Sequence, residues 1–248
     1  MNTQQTTPMP PSKLRFMGES DEAFLELGDQ LVDTIERHAE LGPSTRILDV
    51  GCGYGRLAHA LQRRGFEGTY LGLDVQSRVI RWCTRSLGSE RFEFRHADLQ
   101  NERYNPAGKA VIPELEFDRG SFDVVCAFSV FTHMWHEDVE AYFELFRRVL
   151  ADDGRAIATF FFMDRTWRQL ADEGKAMRLP HARGRYCRFK SADEPLHVVG
   201  YELEWVVRRG IIAGLLPAAP PQFGLWSQRP LDDETDASFQ DTIVFKRA

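Results

Sequence analysis

Apolar residues recur along this chain with two different spacings, and the spacings alternate. From Asp21 to Glu40 they fall at Phe24, Leu27, Leu31 and Ile35, one stripe of a helix. After a GPST turn, Arg46–Val50 (RILDV) is a short, mostly apolar run that predicts a buried strand. Leu57, Ala60 and Leu61 predict a helix stopped by Gly65, and Thr69–Asp74 predicts a second strand. Val79, Ile80, Cys83 and Leu87 give another helix stripe, followed by a strand from Arg91 to His96. Asn101 to Gly120 is a long connection with turn chemistry in YNPAG. A fourth strand is predicted from Phe122 to Phe128. Val139, Tyr142, Phe143, Phe146, Val149 and Leu150 then mark a strong helix. A turn at Asp153-Gly154 leads into a fifth strand from Arg155 to Phe162. An irregular stretch, a helix from Tyr201 to Ala213, proline-rich sequence and a closing strand from Ser238 to Lys246 complete the pattern.

Strands separated by helices of this length mean βαβ units and a mainly parallel α/β sheet. Ligands of such sheets bind beyond the carboxyl ends of the strands, at the switch point beside the first strand. At 248 residues the chain fits one domain, expected over 14–248, after a polar, proline-bearing tail over 1–13 expected to be disordered.

Charge and cysteine usage narrow the function classes. A net charge of −6 argues against a protein that grips nucleic acid through counterion release. The four cysteines have no metal-ligand spacing and read as reduced thiols of a cytoplasmic protein. No apolar run approaches the roughly 18 residues of a membrane span. No nucleic-acid or membrane partner is therefore expected, and the oligomeric state is not readable.

The strand ends carry the chemistry. Where the first strand stops, LDVGCGYG supplies glycines at 51, 53 and 55, which let the backbone turn sharply and approach a ligand. The spacing is GxGxG rather than the GxGxxG of pyrophosphate binders. Asp49 stands two residues before the first glycine, where it would repel a phosphate and suit an ammonium group. Asp74 ends the second strand, where a carboxylate can accept both hydroxyls of a ribose. Asp98 ends the third; it can accept from an adenine amino group while Leu99 packs on the ring.

LDVGCGYG, LGLDV, HADL and FDVVCAFSVFTHM together resemble the ordered motifs of class I S-adenosylmethionine-dependent methyltransferases, over about Thr45 to Phe162. The narrower resemblance is to bacterial small-molecule and sugar methyltransferases. It implies a Rossmann-like seven-stranded sheet with helices on both faces and an antiparallel last strand, FQDTIVFK. A small cap would come from the N-terminal helix (19–40) and an insertion at 163–197. It also implies S-adenosylmethionine as cofactor and S-adenosylhomocysteine as product. By position, Asp49, Gly51, Gly53, Tyr54 and Arg56 would line the methionine end. Asp74 and Val75 would meet ribose and adenine, Asp98 and Leu99 the adenine edge and face, and Phe128 would lie beneath the sulfonium.

Methyl transfer to an alcohol generally needs a base, and His133 and His136 follow the fourth strand as candidates. Their i, i+3 spacing could present both rings to a metal, but no third ligand is evident and no metal is expected. From Met163 to Lys190, eight bases stand against three acids. This segment could be a lid for an anionic or carrier-bound substrate, with Trp135, Arg183, Arg185 and Tyr186 at the opening. Alternatively it pairs with Glu19, Asp21, Glu22, Glu26 and Asp29 of the N-terminal helix. O-methylation of a sugar or other hydroxyl is the first reading. N-methylation, a non-catalytic cofactor-binding module and a nicotinamide-dependent oxidoreductase are the alternatives.

Overall fold

The computed structural model describes residues 7–15, 20–109, 112, 115–230 and 238–248. Five parallel strands form the heart of the molecule: β1 (Arg46–Val50), β2 (Thr69–Asp74), β3 (Phe92–His96), β4 (Phe122–Ala127) and β5 (Leu150–Phe160). Together with β10 (Leu215–Pro217) and β11 (Asp241–Arg247) they make a seven-stranded sheet ordered β10-β11-β5-β4-β1-β2-β3. Of these, β11 runs against both of its neighbours. The chain leaves β1 for β2 and β3 on one side, then returns to place β4 on the other. That reversal opens a crevice beyond the ends of β1 and β4.

Period-2 alternation explains why both faces are covered. Ile47, Val124, Cys126, Ile157 and Val244 point to the layer of α1 (Asp21–Glu36), α2 (Arg56–Arg63) and α3 (Ser77–Ser86), meeting Phe24, Leu57 and Cys83. Leu48, Val125, Ala127, Ala158 and Phe245 point the other way, to α4 (His136–Val149) and α6 (Leu203–Ile212), meeting Phe143, Phe146 and Trp205. Ser20 Oγ caps α1 by accepting from Ala23 N at 3.2 Å.

Several expected boundaries are corrected. Helix α1 stops at Glu36, since its apolar stripe ends with Ile35. The strand expected from Arg155 begins at Leu150, and Asp153-Gly154 lies inside it at a register shift against β4, so it bends the strand and does not end it. Residues 1–6 and Glu19 lie outside the described residues. Within the expected tail Pro10 is buried, Met9 packs on the α1–α3 core and Thr7 O lies 3.2 Å from His59 Nε2, while residues 11–13 are exposed.

The irregular stretch folds into a second sheet. β6 (Phe162–Met163), β7 (His181–Arg183), β8 (Cys187–Phe189) and β9 (Val199–Glu202) lie in the order β6-β9-β8-β7, with α5 (Arg165–Asp172) after β6. The helix expected from Tyr201 thus starts only at Leu203, its first residues being spent on β9. No helix among the described residues is long and apolar enough to cross a membrane.

Candidate functional site at the carboxyl ends of the strands

The turn after β1 is built to bring backbone close to a ligand. Gly51, Gly53 and Gly55 have φ of 71°, 51° and 76°, the left-handed region that glycine tolerates. A Cβ at Gly51 would sit 2.5 Å from Val130 Cγ2 and one at Gly55 2.6 Å from Leu87 Cδ1, so both are fixed by packing. A Cβ at Gly53 would meet nothing within 4 Å. The middle glycine alone faces open space.

Asp74 ties that turn to β2. Its Oδ2 accepts from Gly53 N at 2.9 Å and its Oδ1 from Gln76 N at 2.8 Å. A carboxylate has about four acceptor positions, so acceptor capacity remains for a ligand hydroxyl. Asp49 accepts from the Tyr70 hydroxyl at 2.6 Å. Asp49 and Asp74 are 4% and 7% exposed. Desolvation pushes the Asp49 carboxyl up to about 7, against the pull of the Tyr70 hydrogen bond and with a further push from Asp74. Desolvation raises Asp74 as well, opposed by its backbone donors. Among the described residues neither acid has an ion-pair partner. Two buried acids beside an open glycine leave a place for a cationic, hydroxyl-bearing ligand.

Farther along the sheet edge, Val75 is half-buried, its carbonyl 3.0 Å from His96 Nε2. Asp98 Oδ1 accepts from Asn105 Nδ2 at 2.9 Å, which leaves its other oxygen available, and Leu99 is buried beside it. Phe128, just past β4, is partly buried against the α1–α3 core. Tyr54 and Arg56 turn the other way. The Tyr54 ring lies 6.0 Å from Phe24, and the Arg56 guanidinium covers both rings at 5.7 and 5.9 Å. What Tyr54 offers the turn is backbone, and its ring belongs to the α1 interface.

The two histidines do not share a face. His133 closes a 3-10 turn (Phe131–His133), Met134 is extended, and His136 opens α4, so helical spacing never applies between them. His133 Nδ1 donates to Leu196 O at 3.1 Å, and its ring meets Tyr104 edge-on at 5.7 Å. Burial pushes it down to about 4, so it is neutral at pH 7 with Nε2 as acceptor. His136 Nδ1 lies 3.1 Å from Glu137 Oε2 without a hydrogen bond to it, and the ring rests edge-on against Trp205. No cluster of three metal-ligating side chains occurs among the described residues.

The long connection after Asp98 acquires a place here. Asn101 and Asn105 close a tight loop by mutual backbone bonds, and the loop lays Tyr104 on His133 and Arg103 on His197. Among the described residues no ion pair joins the basic segment to α1: Asp21 pairs with Arg15, and Asp29 with Arg63 and Arg64. Arg183 instead stacks 4.3 Å above the Trp135 ring and pairs with Glu137 at 3.2 Å. Tyr186 stacks on Trp205 at 5.8 Å, and Arg185 stands exposed on the β7–β8 turn. A cavity of about 670 Å³, lined by Ile47, Thr69, Arg91 and Phe122 among others, opens at the amino ends of the strands, away from all of these residues.

Residues 47–154 match the model of a family described as a methyltransferase domain. A malonyl-[acyl-carrier protein] O-methyltransferase of Acetivibrio thermocellus is 26% identical over 53% of this chain and 52% of its own length. A fatty-acid O-methyltransferase of Mycolicibacterium smegmatis is 35% identical over 34% of this chain and 30% of its own. The matched stretch thus spans about half or less of these curated relatives. Among solved structures, the PH0226 protein of Pyrococcus horikoshii superposes with a TM-score of 0.64, at 17% identity over 93% of both chains. The 1,6-didemethyltoxoflavin-N1-methyltransferase of Burkholderia thailandensis, solved with S-adenosylhomocysteine, superposes with a TM-score of 0.54, at 14% identity over 92% of this chain and 80% of the other. Residues 47–154 thus resemble a methyltransferase domain, and the chain shares the fold of these solved structures.

Proposed function

We propose that this protein binds S-adenosylmethionine beyond the ends of β1 to β4 and transfers its methyl group to an oxygen of a small molecule. The observation that carries this reading is the pair of buried carboxyls without an ion-pair partner among the described residues, Asp49 and Asp74, close to the open backbone at Gly53. That combination suits a ligand with an ammonium group, ribose hydroxyls and no phosphate, and it is hostile to a dinucleotide.

In this reading Asp74 uses its remaining acceptor capacity on the ribose, and Asp98 offers its free oxygen to the adenine amino group between Val75 and Leu99. Asp49 faces the ammonium end, Gly51, Gly53 and Tyr54 supply backbone, Arg56 stands next to the turn, and Phe128 floors the site. Bound S-adenosylmethionine supplies a sulfonium-activated methyl group. The protein's contribution is alignment of the acceptor with it, an effect that can reach roughly 7–11 kcal/mol.

With a pKa pushed down to about 4, His133 orients an acceptor through Nε2 and is a weak base for a neutral alcohol. His136, beside Glu137, is the first residue of α4. An acceptor that is already an anion avoids the need for a strong base, and exposed Arg185 beside Arg183, Trp135 and Tyr186 favours one. Two relatives named as O-methyltransferases, one of an acyl-carrier-bound substrate, support the same choice. The acceptor is thus a small, anionic or carrier-bound molecule, handled in the cytoplasm without nucleic acid or membrane. In a thermal-shift titration S-adenosylhomocysteine should stabilise the protein and NADH should not. Stabilisation by NADH alone would refute the reading.

A further inference from the structure

Two residues past the end of β4, Ser129 has a φ of +57°, left-handed although it is not glycine. Such backbone is uncommon for serine and recurs where a structure holds a ligand. A closed ring of hydrogen bonds keeps it there. Ser129 N–H donates to Thr159 Oγ1 (2.7 Å), the Thr159 hydroxyl donates to Gln240 Oε1 (2.7 Å), and Gln240 Nε2 donates back to Ser129 Oγ (2.9 Å). The ring joins the segment just past β4, the next-to-last residue of β5 and the residue before β11. Its direction is set by burial. Thr159 is 5% exposed, and its hydroxyl finds an acceptor in the ring only when Gln240 turns Oε1 toward it. That orientation presents the amide N–H to Ser129.

Ser129 also has a defined position. The next residue, Val130, is the one that Gly51 cannot approach with a side chain, since its Cγ2 lies 2.5 Å from where a Cβ would be. Ser129 therefore stands exposed at the mouth of the glycine turn, in the crevice between the ends of β1 and β4. Because Ser129 Oγ already accepts from Gln240, its own proton is left to point outward as a donor.

A donor aimed at the reacting atom separates nucleophiles. A neutral amine has one lone pair, and a hydrogen bond to it occupies the pair that must attack the methyl carbon. A carboxylate or hydroxyl oxygen has at least two, so it can accept from Ser129 and attack with another. We infer that Ser129, aimed by Thr159 and Gln240 as positioning residues, holds the acceptor oxygen and makes the site selective for oxygen over amine acceptors. The inference rests on the methyltransferase reading above. For a carboxylate acceptor the step balances without a base. An oxygen lone pair forms the C–O bond as the C–S bond breaks, and its electrons go to sulfur, leaving a neutral thioether and a neutral ester.

The test uses the full chain with methyl-tritiated S-adenosylmethionine and a bacterial metabolite extract, sorting labelled products into base-labile esters, ethers and methylamines. Oxygen-linked label is expected. Ser129→Ala should then lower kcat about tenfold or more while leaving S-adenosylhomocysteine affinity within about twofold, the loss of one reacting-state hydrogen bond. Gln240→Glu replaces the donor with an acceptor, turns the Ser129 proton inward and should shift the oxygen-to-amine product ratio toward amines. A purely structural ring would not reverse a preference. Nitrogen-linked label from the wild type overturns the inference, as does oxygen-linked label that Ser129→Ala leaves unchanged. No label despite tight S-adenosylhomocysteine binding overturns it together with the transfer reaction, and no binding overturns the cofactor reading itself.

Discussion

Alanine at each of the three turn glycines separates a residue needed for the fold from one needed for the ligand. All three positions have positive φ, so each alanine incurs the left-handed backbone penalty of about 1–2 kcal/mol. At Gly53 that is the whole cost in the ligand-free protein, because the new Cβ meets no atom within 4 Å. For a chain of this size it corresponds to a fall in Tm of about 2–8 °C. At Gly51 and Gly55 the Cβ also overlaps Val130 or Leu87, adding about 1–3 kcal/mol as neighbours are forced aside. The order reverses for binding. The Gly53 Cβ projects into the space assigned to the cofactor, and an overlap of about 1–3 kcal/mol there weakens affinity by roughly 5–150-fold. Thermal melts without ligand, paired with calorimetric titration of S-adenosylhomocysteine, read both quantities on the same preparations. Gly53→Ala should be the most stable of the three and still bind poorly. Wild-type affinity in Gly53→Ala would refute the assignment of that open space to the cofactor.

Asp49 and Asp241 are both buried carboxyls pushed up to about 7 from an ordinary value near 3.8. The folded chain keeps these protons where the unfolded chain has lost them. Their contribution to stability is therefore complete below about pH 4 and lost as pH rises through 7, at no more than about 1.4 kcal/mol per pH unit for each group. Ligand-free Tm should fall between pH 5 and 8, less steeply in Asp49→Asn, and an unchanged slope in that variant would contradict the burial argument. Asp241→Ala should be far costlier than most single changes. It strands the N–H groups of Phe162, Gly224 and Trp226, at about 1–3 kcal/mol each, and denaturant melts should show it. Neutralising Arg183 and Arg185 together should raise KM for an anionic acceptor and leave S-adenosylhomocysteine affinity alone. An unchanged KM would end the lid reading of the β7–β8 turn.

What the sequence disclosed, and what it did not, follows from which interactions are local. The glycine spacing, the acids at the strand ends and the alternation of Leu48 with Ile47 are consequences of backbone geometry within a few residues, so they could be read in order along the chain. The partners of those acids could not. Tyr70 reaches Asp49 from one strand over, and Asn105 reaches Asp98 by closing a loop whose polar, turn-rich composition said only that it was a connection. The second sheet was equally hidden, because its strands are two to four residues long, too short for any period to declare itself. The histidines show the opposite failure. Their i, i+3 spacing was legible but misleading, because the extended Met134 between them cancels the helical geometry that gives such spacing its meaning. Ser129 is the limiting case. Its partners lie 30 and 111 residues away, its residue type carries no signal for positive φ, and a serine after a strand is ordinary. A residue whose chemistry is set by the direction in which a distant amide donates can be found only once the fold has brought the amide to it.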